Sequence, residues 1–152
     1  GSLRSAGLAR TSLNAYGNPM ALRIGLQASL ELTVSDEDTA LAWRSGNVPV
    51  LGTPRLAALL EEATVAALAD HLEPGKTTVG MRIHLDHFAP SAVGDQIVAS
   101  AEVEQINGRR ITFNAQAVCG SRCLEGEAGT VIGSAVIVRV VVDAERFLQR
   151  LQ

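Results

Sequence analysis

The stretch Thr53-Pro54-Arg55-Leu56-Ala57-Ala58-Leu59-Leu60-Glu61-Glu62-Ala63-Thr64-Val65-Ala66-Ala67-Leu68-Ala69-Asp70-His71-Leu72 decides the fold. It is the one long helix that the sequence offers, with Ala and Leu over most of its surface. Thr53 suits the N-cap, Pro54 suits the first helical position, and Glu73-Pro74-Gly75 closes the far end. A helix that is apolar over most of its circumference must be buried against something. Glu61 lies inside that apolar surface and is the first hint of chemistry.

The rest of the chain has to supply what buries it. From Leu22, apolar residues recur at period two through Leu22, Ile24 and Leu26, then Leu30, Leu32 and Val34. Ser35-Asp36-Glu37-Asp38 opens a short helix over Glu37–Trp43, which Ser45-Gly46-Asn47 breaks. After Gly75 the pattern predicts a meander of strands over Thr77–Phe88, Gln96–Ile106, Arg110–Cys119 and Glu127–Val142. Asn107-Gly108 is the expected two-residue hairpin turn, and Gly129 and Gly133 mark bulges or close approaches. Asp143 caps a last helical turn or two through Leu151. One long apolar helix, several strands and no second helical layer have one economical solution. An antiparallel sheet wraps around the helix and its free edge pairs with another copy. This is an α+β architecture, the hot-dog fold.

Composition bounds the function. At 152 residues the chain is long enough for one domain with its own core. That domain is expected over 20–152, after a polar, Arg-containing extension over 1–19. Gly1-Ser2 reads as a cloning remnant and Met20 as a natural start; an organelle transit peptide is the weaker reading of the leader. Aromatic residues make up only 3% of the chain, so the core is built from Ala, Val, Leu and Ile. A net charge of -3 gives no reason to propose nucleic acid or an anionic membrane as a partner. No apolar run reaches the length of a bilayer span. Cys119 and Cys123 lack the ligand set of a zinc site, and nothing requires a metal. They are expected as free thiols in a reducing cytoplasm, with a hairpin disulfide as the alternative.

On a helical wheel, the neighbours of Glu61 at three and four positions are Ala57, Ala58, Thr64 and Val65, and none is a cation. Glu62 points about 100° away, toward a solvated arc with Arg55 and Ala69. A carboxylate in an apolar setting is costly unless hydrogen-bonded, and such acids are enriched at active sites. The plain alternative is a side chain that reaches solvent. In Met81-Arg82-Ile83-His84-Leu85-Asp86-His87-Phe88, period two places Met81, Ile83, Leu85 and His87 on the apolar face. Arg82, His84, Asp86 and Phe88 take the other face, where His84 reads as a solvated residue. His87 alone would read as a satisfied core histidine. Beside an inward Glu and a Thr at a helix N-terminus, it reads as a catalyst.

Leu51-Gly52-Thr53, Glu61, Leu72-Glu73-Pro74-Gly75, Val79-Gly80 and His87 resemble the fluoroacetyl-CoA thioesterase branch of hot-dog thioesterases. Gly108-Arg109-Arg110, Ile132-Gly133-Ser134, and Arg139 with Val141, Glu145 and Phe147 extend the resemblance over about residues 48–148. It implies hydrolysis of an acyl-CoA thioester to an acid and free CoA, with CoA as part of the substrate and no cofactor or metal. It places the catalytic threonine, glutamate and histidine on Thr53, Glu61 and His87, and the glycine facing the acyl group on Gly80. Thr53 would polarise the thioester or assist the leaving thiolate, with Glu61 as base or nucleophile and His87 as proton carrier. Arg55 and Arg139 join Gly80 as substrate-contacting candidates, although a structural ion pair competes for Arg139. Arg109 and Arg110 read as a solvated turn more than as phosphate ligands.

The chain also departs from the family. Ala42-Trp43-Arg44-Ser45-Gly46-Asn47 stands where the specialised enzyme has a phenylalanine lid, so selectivity for a fluorinated acyl group is not expected. Pro54 replaces a glycine and has no N–H, which leaves any oxyanion contact to the amides of Arg55 or Leu56. The expected assembly is a homodimer, or a tetramer, with the site at the subunit interface and a short or branched aliphatic acyl group as substrate. The alternatives are a non-catalytic acyl-CoA binding module, a hot-dog enoyl-CoA hydratase or dehydratase, and a purely structural dimer.

Overall fold

The computed structural model describes residues 2–5, 21–124 and 126–152. In chain order they form β1 (Ser2–Ser5), β2 (Gln27–Thr33), a 3-10 turn (Asp36–Asp38), α1 (Ala40–Trp43), α2 (Thr53–Leu68), β3 (Lys76–His87), β4 (Gln96–Asn107), β5 (Arg110–Cys119), β6 (Val131–Asp143) and α3 (Ala144–Gln149). The strands make one antiparallel sheet in the order β1-β2-β4-β5-β6-β3. Leu56, Leu59, Leu60, Ala63 and Ala67 of α2 pack onto Leu30, Leu32, Ile97, Ala99, Phe113 and Ile137 of the sheet. The sheet thus wraps around α2, as the apolar circumference of that helix requires. Of the expected extension over 1–19, Ser2–Ser5 pairs with β2; Gly1 and residues 6–20 lie outside the described residues.

Several boundaries move, each for a local reason. The long helix ends at Leu68 rather than Leu72, because Asp70 turns left-handed at φ 66°. Ile24 sits in a turn with Gly25 and is exposed, so the first strand begins only at Gln27. The expected short helix divides into the 3-10 turn and α1, where Thr39 caps α1 by accepting from the Ala42 amide. The hairpin turn is Gly108-Arg109, one residue later than expected: Asn107 still pairs with Arg110, and Gly108 takes the positive φ. The last strand starts at Val131, and Gly129 belongs to the loop before it. Gly133 is a close approach as expected, since a Cβ there would meet Leu56 Cδ2 at 3.0 Å and the Asp86 carbonyl at 3.1 Å. Cys119 and Cys123 are joined in a disulfide with Cα atoms 6.1 Å apart, which corrects the expectation of free thiols. The turn through Gly120-Ser121-Arg122 brings the two sulfurs together, a juxtaposition that composition does not reveal.

The face assignment on β3 needs the largest correction. The pairing with β6 shifts between Gly80 and Arg82, leaving Met81 as the extra residue of a bulge. Thr78 and Gly80 therefore share the helix side with Ile83, Leu85 and His87, although their parity in sequence differs. Arg82, His84 and Asp86 lie on the outer side, as expected. Met81 and Ile83 are exposed instead of buried, because β3 is an edge strand and α2 lies mainly over β2 and β4 at the far end of the sheet.

Arg55 is the second correction. Its guanidinium is not solvated: Nε donates to Asp38 Oδ1 at 2.8 Å, with the side chain 12% exposed. Its Nη1 lies 3.7 Å from Glu62. Asp38 is buried and also accepts from the Ser35 amide and hydroxyl. Burial alone would raise the Asp38 pKa, but hydrogen bonds to its carboxylate, those from Ser35 and Arg55 among them, outweigh it and hold the carboxyl at about 2. A depressed carboxyl pKa contributes stability that is present above the unfolded value and lost as pH falls toward the folded one. Asp38→Asn should therefore cost about 1–2 kcal/mol at pH 7, read by urea unfolding. The difference from the parent should shrink as pH falls from about 4 toward 2.

Candidate active site

Thr53, Glu61, Gly80 and His87, singled out by sequence, lie along the seam between α2 and β3. Gly52, not Thr53, is the N-cap of α2, and it provides no side-chain cap. A Cβ at Gly52 would press on the Ala40 backbone at 3.2 Å, so the close packing of α1 explains the glycine. Thr53 is consequently free of capping, and its Oγ1 lies 2.8 Å from His87 Nδ1. The backbone holds these two residues in place from both sides. Leu51 donates its amide to the Ser91 carbonyl at 2.9 Å, and Val50 bridges Ala92, which ties the approach to Thr53 to the loop after His87. Ala40 and Gly52 close the other side, with amides donated to the Val50 and Asp38 carbonyls.

His87 is half-buried, and burial pushes its imidazole below 6.5 against the smaller opposing influence of the Ala89 backbone. At neutral pH the ring is uncharged. The Thr53 hydroxyl can then donate to Nδ1, which leaves the proton on Nε2; that nitrogen is buried and makes no hydrogen bond among the described residues.

Glu61 lies eight residues along α2 from Thr53, about 12 Å of helix rise. The helix itself offers no cation, but the fold does. Arg139 of β6 is buried, and its Nη1 lies 3.3 Å from Glu61 Oε2. Its Nε donates to Thr78 Oγ1 at 2.9 Å and its Nη2 to the Thr78 carbonyl at 3.2 Å. Burial draws the guanidinium below its ordinary value while Glu61 opposes the shift, and an arginine stays charged in this setting. Glu61 is itself 41% exposed, so the pair is half-open rather than sealed. Gly80 is what admits the carboxylate: a Cβ there would lie 2.6 Å from Glu61 Oε2.

The structure thus brings Thr53 to His87, and Glu61 to Gly80 and Arg139, along one seam. It keeps Arg55 with Asp38, outside that seam, and leaves Arg109 of the hairpin turn and Arg110 at the start of β5 exposed. Sequence reasoning missed Thr78 and Asp38. A guanidinium expected among valines demands acceptors, and Thr78, one period-two step from Gly80, was available to supply them. A recess of about 910 Å³ lies on the outer face of the sheet and is lined by Arg82, His84, Asp86, Glu102 and Asn114. The sheet separates it from Thr53, Glu61 and His87.

Comparison with known proteins gives the family and the fold. A family described as fluoroacetyl-CoA-specific thioesterase matches residues 34–145. The fluoroacetyl-CoA thioesterase of Streptantibioticus cattleyicolor is 32% identical over 98 residues, which span 64% of this chain and 65% of that relative. A solved structure of a fluoroacetyl-CoA thioesterase superposes with a TM-score of 0.75 at 26% identity, covering 86% of this chain and 96% of its own. A hot-dog-like protein from Thermanaerovibrio acidaminovorans superposes with a TM-score of 0.73 at 22% identity, over 84% and 89% of the two chains, and supports the fold alone.

Two measurements check this geometry. An NMR titration of His87 should give a midpoint below 6.5, and Thr53→Val should alter the Nδ1 chemical shift without unfolding the chain. Gly80→Ala should displace the Glu61 carboxylate, visible as a changed Arg139 side-chain resonance, with a small effect on thermal stability.

Proposed function

The chain belongs to the fluoroacetyl-CoA-specific thioesterase family, and on that premise we propose that it hydrolyses acyl-CoA thioesters to a carboxylic acid and free CoA. The observation that carries the reading is the 2.8 Å contact of Thr53 Oγ1 with His87 Nδ1 at the start of α2, on the same seam as Glu61. Thr53, Glu61 and His87 are the proposed catalytic residues. The helix N-terminus presents backbone N–H groups and partial positive charge where the thioester oxygen gains negative charge. Pro54 lacks an N–H, so the Arg55 amide is the contributor proposed there; the Leu56 amide is already donated to the Gly52 carbonyl.

The Glu61 carboxylate, with one oxygen held by Arg139, either takes a proton from the attacking water or attacks the carbonyl carbon itself. In the first case the C–S bond breaks as the new C–O bond from water matures. In the second, water then cleaves the anhydride formed on Glu61. In both, the thiolate leaves toward Thr53 and takes its proton through the Thr53 hydroxyl from Nδ1 of His87, after the neutral ring has taken up there the proton that water loses, directly or by way of Glu61. Gly80 faces the acyl group beside Glu61. Arg139 holds Glu61 in this reading instead of binding phosphate, and Arg55 anchors the segment before α2.

We also place the site in a homodimer. β3 is an edge strand of twelve residues that exposes Met81 and Ile83, and Val65 of α2 is exposed as well. Such an edge invites pairing with a second copy, which would cover the seam. A tetramer would use further surface. The cytoplasmic location expected from sequence suits a substrate carrying several phosphate charges. No helix among the described residues is long and apolar enough to cross a membrane. With residues 42–47 standing where the specialised enzyme has its phenylalanine lid, and the Trp43 Nε1–H donated to the Glu37 carbonyl, fluoroacyl selectivity is not part of the proposal.

Glu61→Ala should lower thioester hydrolysis by about 10²–10⁴-fold, measured as thiol release, with the dimer retained in size-exclusion chromatography. Wild-type turnover by this variant would remove Glu61 from the mechanism. The kcat/KM profile should lose activity on the acid side as His87 protonates, with the midpoint below 6.5.

A further inference from the structure

Thr53 and His87 face each other at one end of the seam, and Glu61 meets Gly80 further along. Helix and strand therefore run past each other in opposite directions, and the seam continues beyond Glu61 into a groove of about 410 Å³. Val65, Leu68 and Leu72 give it apolar walls, and Thr78 lines it from β3. Thr78 is the residue that holds Arg139 against Glu61, so one wall of the groove belongs to the network that fixes the proposed reacting carboxylate. About 10 Å of helix rise separates Glu61 from Leu68. The volume falls within the range of small-molecule pockets.

We infer that this groove takes the distal methylenes of a straight aliphatic acyl chain, which makes medium-chain acyl-CoA esters the preferred substrate class. The inference rests on the thioesterase reading above and names the acyl group for that same site. Charge decides which end of the substrate enters. The groove's titratable residues are Asp70, Glu73 and Lys76, and Lys76 lies 4.0 Å from Asp143. This balance is unfavourable to the phosphates of CoA and indifferent to a hydrocarbon tail, so CoA extends from the opposite end of the seam. Val65 is 51% exposed and apolar, one helical turn beyond Glu61. An acyl chain passing Glu61 toward Leu68 would cover it.

The test is a kcat/KM series with acetyl-, butanoyl-, hexanoyl- and octanoyl-CoA, run on the full chain by thiol release. Burying a methylene strengthens binding by up to about fourfold, and a half-open groove realises part of that. A hexanoyl-to-acetyl ratio of at least about tenfold is expected. Val65→Asp should bring the ratio toward one, and Val65→Leu should keep it. Because each ratio is internal to one variant, a general loss of folded protein does not affect it. Acetyl-CoA hydrolysis with no gain on chain extension overturns this inference and leaves the thioesterase reading standing. No thiol release from any ester overturns both. If Val65→Asp instead dissociates the dimer and leaves the chain-length ratio unchanged, the groove houses the second copy and the inference fails.

Discussion

Much of this structure follows from burying one guanidinium. Arg139 sits on a strand among valines and is removed from water, so each of its donor edges needs an acceptor. Thr78 provides a hydroxyl and a carbonyl, and Glu61 provides a carboxylate from the helix. Meeting that demand forces α2 to approach β3 closely at one point. Only a glycine at position 80 permits the approach, and the bulge at Met81 turns Gly80 toward the helix without moving His87 off the same side. The acid that looked unpaired on a helical wheel is thus paired across three elements.

The cost of that arrangement is an incompletely covered seam. α2 packs mainly on the far half of the sheet, so Met81 and Ile83 remain exposed on the edge strand and Val65 on the helix. An enzyme that must admit a long thioester benefits from such an opening, and a second copy along β3 would cover part of it. The proposed chemistry and the proposed assembly therefore arise from the same uncovered surface.

A second network holds the other end of the seam. Asp38 clamps Arg55, α1 presses on Gly52, and the loop after His87 bonds to Val50 and Leu51. These contacts carry no reacting group. Their effect is to keep the first turn of α2 and the end of β3 in register, which leaves the Thr53 hydroxyl to His87 rather than to the helix backbone.

By itself, the sequence determined the α+β class, the single central helix, the antiparallel meander, and the candidates Thr53, Glu61, His87 and Gly80. Those features rest on hydrophobic periodicity, turn residues and recognisable spacing, all of which act over short stretches of chain. Tertiary structure alone decided the partner of Glu61, the capture of Arg55 by Asp38, the freeing of Thr53 from its expected cap and the joining of Cys119 to Cys123. It also decided which side Gly80 faces, because a bulge reverses parity and depends on pairing with β6. Each of these is a contact or register set between segments, and a side chain's partner across space is fixed by packing that no local pattern records.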